Sequence, residues 1–263
     1  MEKLSFTSPV FGPIHSRRLG SSLGINLMPA SRKVCNFNCI YCECGWTPDP
    51  LQQAETENSL MPGREIVTRD LEEKLHTLAG QGKAPDAITF SGNGEPTLHP
   101  DFSGIVEDTV ALRNKWSPGT KVCVLSNSAN LDKKGVMEGL MMADLRIMKV
   151  DSAIEKTLRL INNPGAGYSL ERILSRLKRF GGDFTLQTLF FTGTIGGKEV
   201  DNTTEEELAA WYDMVNELKP RQVMVYTLDR PTPAPGLKKC PAEKMEVIAK
   251  VLKEKGIEVI VAG

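Results

Sequence analysis

Histidine is nearly absent from this 263-residue chain: His15, His76 and His99 are the only three, and they lie far apart in sequence. A histidine-based metal centre or acid–base pair therefore has little to be built from. Charge of either sign is not in excess, with Lys plus Arg 32 against Asp plus Glu 33 and a formal net charge of −1. Broad non-specific nucleic-acid binding needs a basic surplus, so that class is disfavoured, while a local basic patch stays open. No apolar run reaches the roughly 18 residues of a membrane helix. The opening MEKLSFTSPVFGP lacks the apolar stretch and cleavage pattern of a secretory leader, so the expectation is a cytoplasmic protein with no membrane partner. Walker-type phosphate loops, internal repeats and low-complexity tracts are also missing.

What is present is ordinary globular composition, 40% hydrophobic and 25% charged, which excludes disorder for the bulk of the chain and allows a sizeable core. The length suits one α/β barrel, which often runs to about 250 residues. In a reducing compartment the six cysteines point to metal binding or catalysis rather than to disulfides.

Residues 1–23 are rich in Pro, Gly and Ser, a first strand is expected at 24–29, and 30–63 read as one long functional loop. Beyond it Ile66, Val67, Leu71, Leu75 and Leu78 recur near helical spacing over 65–80, with Gly80 as a stop. Strands are predicted at 86–91, 120–126, 145–150, 184–190, 222–228 and 257–262. Helices are predicted between them at 101–116, 131–142, 153–161, 169–180, 203–218 and 241–255. Such alternation implies βαβ units and a parallel sheet. The expected fold is α/β, a partial (β/α)6 TIM-like barrel with parallel strands and short N- and C-terminal extensions. It is read as a single domain over 1–263, with a core at 20–230 and a helix–strand extension at 241–263.

The segment Cys35-Asn36-Phe37-Asn38-Cys39-Ile40-Tyr41-Cys42 has C-x3-C-x2-C spacing. Three thiolates so close together can all face one cubane cluster from a single loop. A [4Fe–4S] cluster usually takes four cysteines, so three would leave one iron with an open position. The competing reading is a closed zinc site with Cys44 as fourth ligand. Zinc sites commonly use two separated pairs, and neither a second pair nor a nearby histidine exists here. A non-enzymatic iron–sulfur carrier or zinc-binding protein is the alternative function, although a small carrier would not need a six-fold βα array. Cys123 sits in an apolar strand as a small hydrophobe, and Cys240 beside Pro241 has no partner in sequence.

In a parallel barrel, ligands bind beyond the C-terminal ends of the strands. After the 86–91 strand comes Gly92-Asn93-Gly94-Glu95, where glycines permit close backbone approach and a carboxylate can pair with an ammonium. After the next strand come Ser126 and Asn127, suited either to a hydroxyl or carboxylate ligand or to capping a helix. Lys149 and Asp151 alternate at a strand end and share one face, as a ligand pair or a structural ion pair. Gln187 is polar among apolar neighbours and is expected to face the barrel lumen. Arg17 and Arg18 can clamp an anion or form a solvated surface pair, and Tyr226, Thr227 and Arg230 end a strand on the expected substrate side.

The C-x3-C-x2-C run with aromatic Tyr41 before the third cysteine resembles the radical S-adenosylmethionine (SAM) enzymes. The run from Gly12-Pro13 through Ser16-Arg17-Arg18-Leu19-Gly20 and Ser22-Leu23-Gly24-Ile25 resembles a subgroup related to wyosine-type tRNA-modifying radical SAM proteins. The resemblance covers residues 11–230. It implies Cys35, Cys39 and Cys42 as ligands of a [4Fe–4S] cluster and SAM as the second cofactor. Gly92 to Glu95 are similar to the family's Gly-Gly-Glu-type motif for the methionine amino group, with Asn93 interrupting the glycine pair. Tyr41, Ser126, Asn127, Lys149, Asp151 and Gln187 complete the implied cofactor-binding set. SAM would chelate the open iron, and one-electron reduction would give methionine and a 5′-deoxyadenosyl radical. The implied partners are a one-electron reductant such as flavodoxin or ferredoxin and a substrate that is a small molecule, a peptide or RNA.

Overall fold

The computed structural model describes residues 6–48 and 60–263. Residues 49–59 of the expected functional loop and the first five of the chain lie outside the described residues. The elements run β1 (Val10–Ser16), β2 (Gly20–Ile25), α1 (Arg64–Gly80), β3 (Ala87–Phe90), α2 (Phe102–Trp116), β4 (Lys121–Ser126), α3 (Val136–Met142) and β5 (Leu145–Lys149). There follow α4 (Glu155–Asn162), α5 (Leu170–Leu177), β6 (Thr185–Leu189), β7 (Phe191–Ile195), β8 (Lys198–Asp201), α6 (Glu205–Leu218), β9 (Gln222–Tyr226), β10 (Leu237–Lys239), α7 (Ala242–Lys253) and β11 (Glu258–Ala262).

An eight-stranded sheet in the order β1-β2-β3-β4-β5-β6-β9-β11 curls into a half-barrel. Every pairing from β2 onward is parallel, and only β1 runs antiparallel to its neighbour. The six strands β2, β3, β4, β5, β6 and β9 are the expected (β/α)6 core, and the C-terminal helix–strand unit adds β11 alongside β9. Helices form where the apolar spacing predicted them. In α1, Val67, Leu71, Leu75 and Leu78 are the buried stripe. In α6, Thr204 caps the first turn by accepting from the Glu207 amide, with acidic residues at the positive end of the helix. Central strands such as β3 are buried throughout, as parallel strands covered on both faces must be. Leu23, Ile88, Phe90, Val124 and Phe184 are among the core side chains, each contributing about 1.5–3 kcal/mol by burial.

Three elements differ from expectation. The first strand is expected at 24–29, but the structure has a β1–β2 hairpin over Val10–Ile25, most of it in the Pro-, Gly- and Ser-rich stretch where no strand is predicted. The ring of Phe11 fills the space above Gly24, and Ser22 is bonded to Thr89 at 2.7 Å, so small residues here are packing partners. The helix expected from 131 begins only at Val136, because Gly135 before it is left-handed at φ 78°. Finally, β7, β8 and β10 form a separate antiparallel sheet in the order β10-β7-β8 that no pattern had flagged.

That small sheet supports the cysteine loop. Phe191 and Val200 from it pack with Ile40 and Tyr41 of the loop and with Ile161 of α4 in a second apolar cluster. The loop backbone is tied down as well, with the Ile40 amide donating to Ile161 O at 3.0 Å and the Ala234 amide donating to Ile40 O at 3.1 Å. Among the described residues, no helix is long and apolar enough to cross a membrane.

Candidate active site

Cys35, Cys39 and Cys42 line a single cavity of about 180 Å³ together with Lys33, Cys44, Gly92, Gly94, Glu95, Ser126, Asn127, Lys149 and Gln187. The sequence therefore brought most of its candidates to one place. Two of them face elsewhere. The Asn93 amide is used up by protein: it donates to Phe6 O at 2.9 Å and Pro29 O at 3.0 Å and accepts from the Phe6 amide. Asp151 lies buried beneath the cavity wall, accepting from the Leu189 amide at 3.0 Å and pairing with Lys149 at 3.5 Å.

The two glycines also act differently from the expectation of ligand contact. Gly92 and Gly94 take φ of 141° and 147°, open to glycine but rarely to other residues. A side chain on Gly94 would meet the Val34 carbonyl, and one on Gly92 would meet Asn26. Gly94 lets the segment after β3 dock against the cysteine loop, through Val34 N to Asn93 O at 2.9 Å and Glu95 N to Val34 O at 3.1 Å.

Glu95 is buried and highly organised. Its Oε1 accepts from Thr97 N at 3.2 Å, Thr97 Oγ1 at 2.5 Å and Ser126 Oγ at 2.9 Å, and its Oε2 accepts from Asn127 N at 2.7 Å. It thus caps the 3-10 turn Pro96–Leu98, and a carboxylate with about four acceptor positions keeps room on Oε2 for another donor. Burial raises its pKa, and the bonds from Asn127, Thr97 and Ser126 oppose that.

Around the thiols, burial and neighbouring charges displace the titration of several groups. Burial pushes Cys35 up to about 12, with Cys39 and Glu95 adding to it. Cys39 is raised by burial and by Cys42. Cys42 is held low by a hydrogen bond from Cys44, and against its burial by Lys33. Burial works against the Lys33 ammonium, but Cys42, Cys35 and Cys39 outweigh it and keep its pKa above the ordinary value. Lys149 behaves alike: burial opposes its charge, and Asp151, Tyr226 and Cys39 more than restore it. Its Nζ lies 4.5 Å from the Tyr41 ring centroid and donates to the Tyr226 hydroxyl.

Lys33 and Asn162 escaped the sequence reading. Lys33 lies two positions before Cys35, and Asn162 ends α4 far from the cysteines in sequence. Asn162 Nδ2 lies within hydrogen-bond reach of Cys39 Sγ at 3.3 Å, Tyr41 Oη at 2.8 Å and Asp151 Oδ2 at 2.7 Å. Tyr41 in turn donates to Asp151. The aromatic before the third cysteine is thus a buried strut of the loop that also borders the cavity.

These residues fit an iron–sulfur cluster. Each thiolate of a cubane binds a different iron, so the sulfurs must share a volume rather than meet at one point. Among the described residues no three Cys, His, Asp or Glu side chains converge on a single metal ion. Cys44 borders the same cavity, within hydrogen-bond reach of Cys42 and of Gly92 O, the latter at 3.3 Å.

A curled parallel half-barrel carrying a three-cysteine loop at its mouth is the architecture of SAM-dependent radical enzymes, and the Radical SAM superfamily profile matches residues 32–211. The chain belongs to the radical SAM superfamily, whose members use a [4Fe–4S] cluster and SAM. A UPF0026 protein of Methanocaldococcus jannaschii is 33% identical over 92% of this chain and 69% of its own length. A UPF0026 protein of Synechocystis is 32% identical over 85% of this chain and 77% of its own length. A Brachyspira hyodysenteriae protein named GTPase Obg is 31% identical over 91% of this chain, which spans only 33% of that protein. Among solved structures, Streptococcus suis SuiB bound to S-adenosylmethionine superposes with TM-score 0.62 at 17% identity, covering 91% of this chain and 50% of that one. A radical SAM methyltransferase from Sphaerobacter thermophilus superposes with TM-score 0.63 at 12% identity, covering 91% of this chain and 65% of that one. At these identities the likeness speaks to fold alone.

Proposed function

We propose that Cys35, Cys39 and Cys42 hold a [4Fe–4S] cluster with one iron left open, and that SAM binds beside it and is reductively cleaved. With both groups bound, the chemistry supplied is a 5′-deoxyadenosyl radical that takes hydrogen from a substrate. The observation that carries this reading is the single cavity shared by the three thiols with Glu95, Ser126, Asn127 and Lys149.

The protein's part is binding, orientation and exclusion of water. Lys33 offsets the charge of the thiolates. Glu95 Oε2 accepts from the SAM ammonium, while Lys149, Ser126 and Asn127 serve its carboxylate and ribose. Gly94 holds this wall against the cysteine loop, and Gln187 forms the far wall. Phe37 and Leu125 supply apolar cover. Tyr41, Asp151 and Asn162 keep the loop in place from behind. Residues 1–263 act as one domain, supplied with electrons by a reductant of flavodoxin or ferredoxin type.

The test is anaerobic reconstitution followed by reduction with dithionite in the presence of SAM. Methionine and 5′-deoxyadenosine in equal amounts support the reading. An iron-loaded protein that yields neither contradicts it and returns the chain to a non-enzymatic iron–sulfur role.

A further inference from the structure

A second cavity, of about 350 Å³, lies next to the one holding the thiols. The two share Cys44, Gly92, Leu125 and Gln187 as lining, so a molecule in one can reach the other. Its walls combine apolar side chains from successive strands, Leu125, Ile147 and Met224, with arginines from the β1–β2 turn. A cavity of this size with apolar walls on one side and charged and polar groups on the other suits a small polar molecule.

The arginines are not equivalent. Arg17 pairs with Asp229 at 3.6 Å, and Arg230 pairs with Glu43 at 3.0 Å. Arg18 has no carboxylate partner among the described residues. Its guanidinium is stacked 4.6 Å from the Tyr226 ring centroid, which fixes its plane while leaving its N–H fork unspent. On the seam between the cavities Gln187 is only 5% exposed, and its Nε2 has no hydrogen-bond partner. A buried donor without a partner is costly, which marks a position where a ligand acceptor completes the bonding.

We infer that this cavity is the substrate site and that it takes a small organic molecule whose phosphate or carboxylate group is held by Arg18. The Gln187 amide donates to an acceptor on the same molecule where it crosses toward the thiols. This rests on the proposed reading of the neighbouring cavity only for the ligand's role as substrate.

Anaerobic titration calorimetry of the reconstituted protein tests the site with phenyl phosphate, benzoate and neutral benzyl alcohol as probes. At least one of the two anions should bind and the alcohol should not, and the stronger anion identifies phosphate or carboxylate as the natural group. Arg18→Met should weaken that binding ~10-fold or more, and Arg18→Lys less. Gln187→Leu should weaken it several-fold, with iron content unchanged in all three variants. Failure of both anions to bind, equal binding of benzyl alcohol, or wild-type affinity in Arg18→Met overturns the inference. So does Arg18-dependent binding of a short single-stranded RNA by a protein that ignores both small anions. The titration does not depend on SAM cleavage, so Arg18-dependent anion binding without 5′-deoxyadenosine formation sinks the proposed function and leaves the anion site standing.

Discussion

The carbonyl oxygen of Val34 occupies the space that a side chain on Gly94 would need. This contact clamps the cysteine loop to the end of β3, and the flanking amides bond across it in both directions. Gly94→Ala should therefore combine backbone strain of about 1–3 kcal/mol with a displaced loop. The expected outcome is a melting temperature lower by about 2–4 °C for each kcal/mol lost, with reduced iron uptake on reconstitution. Wild-type iron content at an unchanged melting temperature would show that the contact is not needed.

Asn162 ties Cys39, Tyr41 and Asp151 together from behind the loop. Asn162→Ala removes a buried donor from a charged acceptor, at a cost of about 1–3 kcal/mol. Urea unfolding should show the lower midpoint, and the loaded protein should lose iron faster to a chelator. Unaltered chelation kinetics would confine the side chain to a purely stabilising role.

For Glu95 the structure shows a cap and a free acceptor position on one carboxylate. Glu95→Gln should weaken SAM binding by roughly 10- to 150-fold and slow 5′-deoxyadenosine formation, with iron near the wild-type level. Should titration of the reconstituted cluster find SAM affinity unchanged while thermal stability falls, the carboxylate only caps the turn at Pro96.

The parts legible in the sequence are those written in local spacing. Three cysteines within one short loop and apolar residues at helical period announce themselves without tertiary information, and so do β3 to β6 as apolar runs. The β1–β2 hairpin is hidden because the stretch before Gly24 is rich in Pro, Gly and Ser, and the strand role of Ser22 shows only once Thr89 is seen against it. The β7–β8 hairpin carried its turn in plain view at Gly196-Gly197, both with positive φ, but Phe191 ran on from the strand before and masked the boundary. Asn162 and Lys33 act through partners distant in sequence or through burial, neither of which spacing records. Gly92 and Gly94 are points of close approach, but the groups that approach are the chain's own, the Asn26 side chain at Gly92 and the Val34 backbone at Gly94.

The most direct measurement of the central claim compares wild type with Cys42→Ala and Cys44→Ala after anaerobic reconstitution, counting iron and 5′-deoxyadenosine together. An open-iron cluster on three cysteines predicts about four irons per chain and SAM cleavage in the wild type. Both should be lost in Cys42→Ala, and both should be nearly retained in Cys44→Ala, because the three-ligand cluster does not use that thiol. Equal loss of iron in Cys44→Ala would mean four protein ligands and no open iron, and would contradict the account.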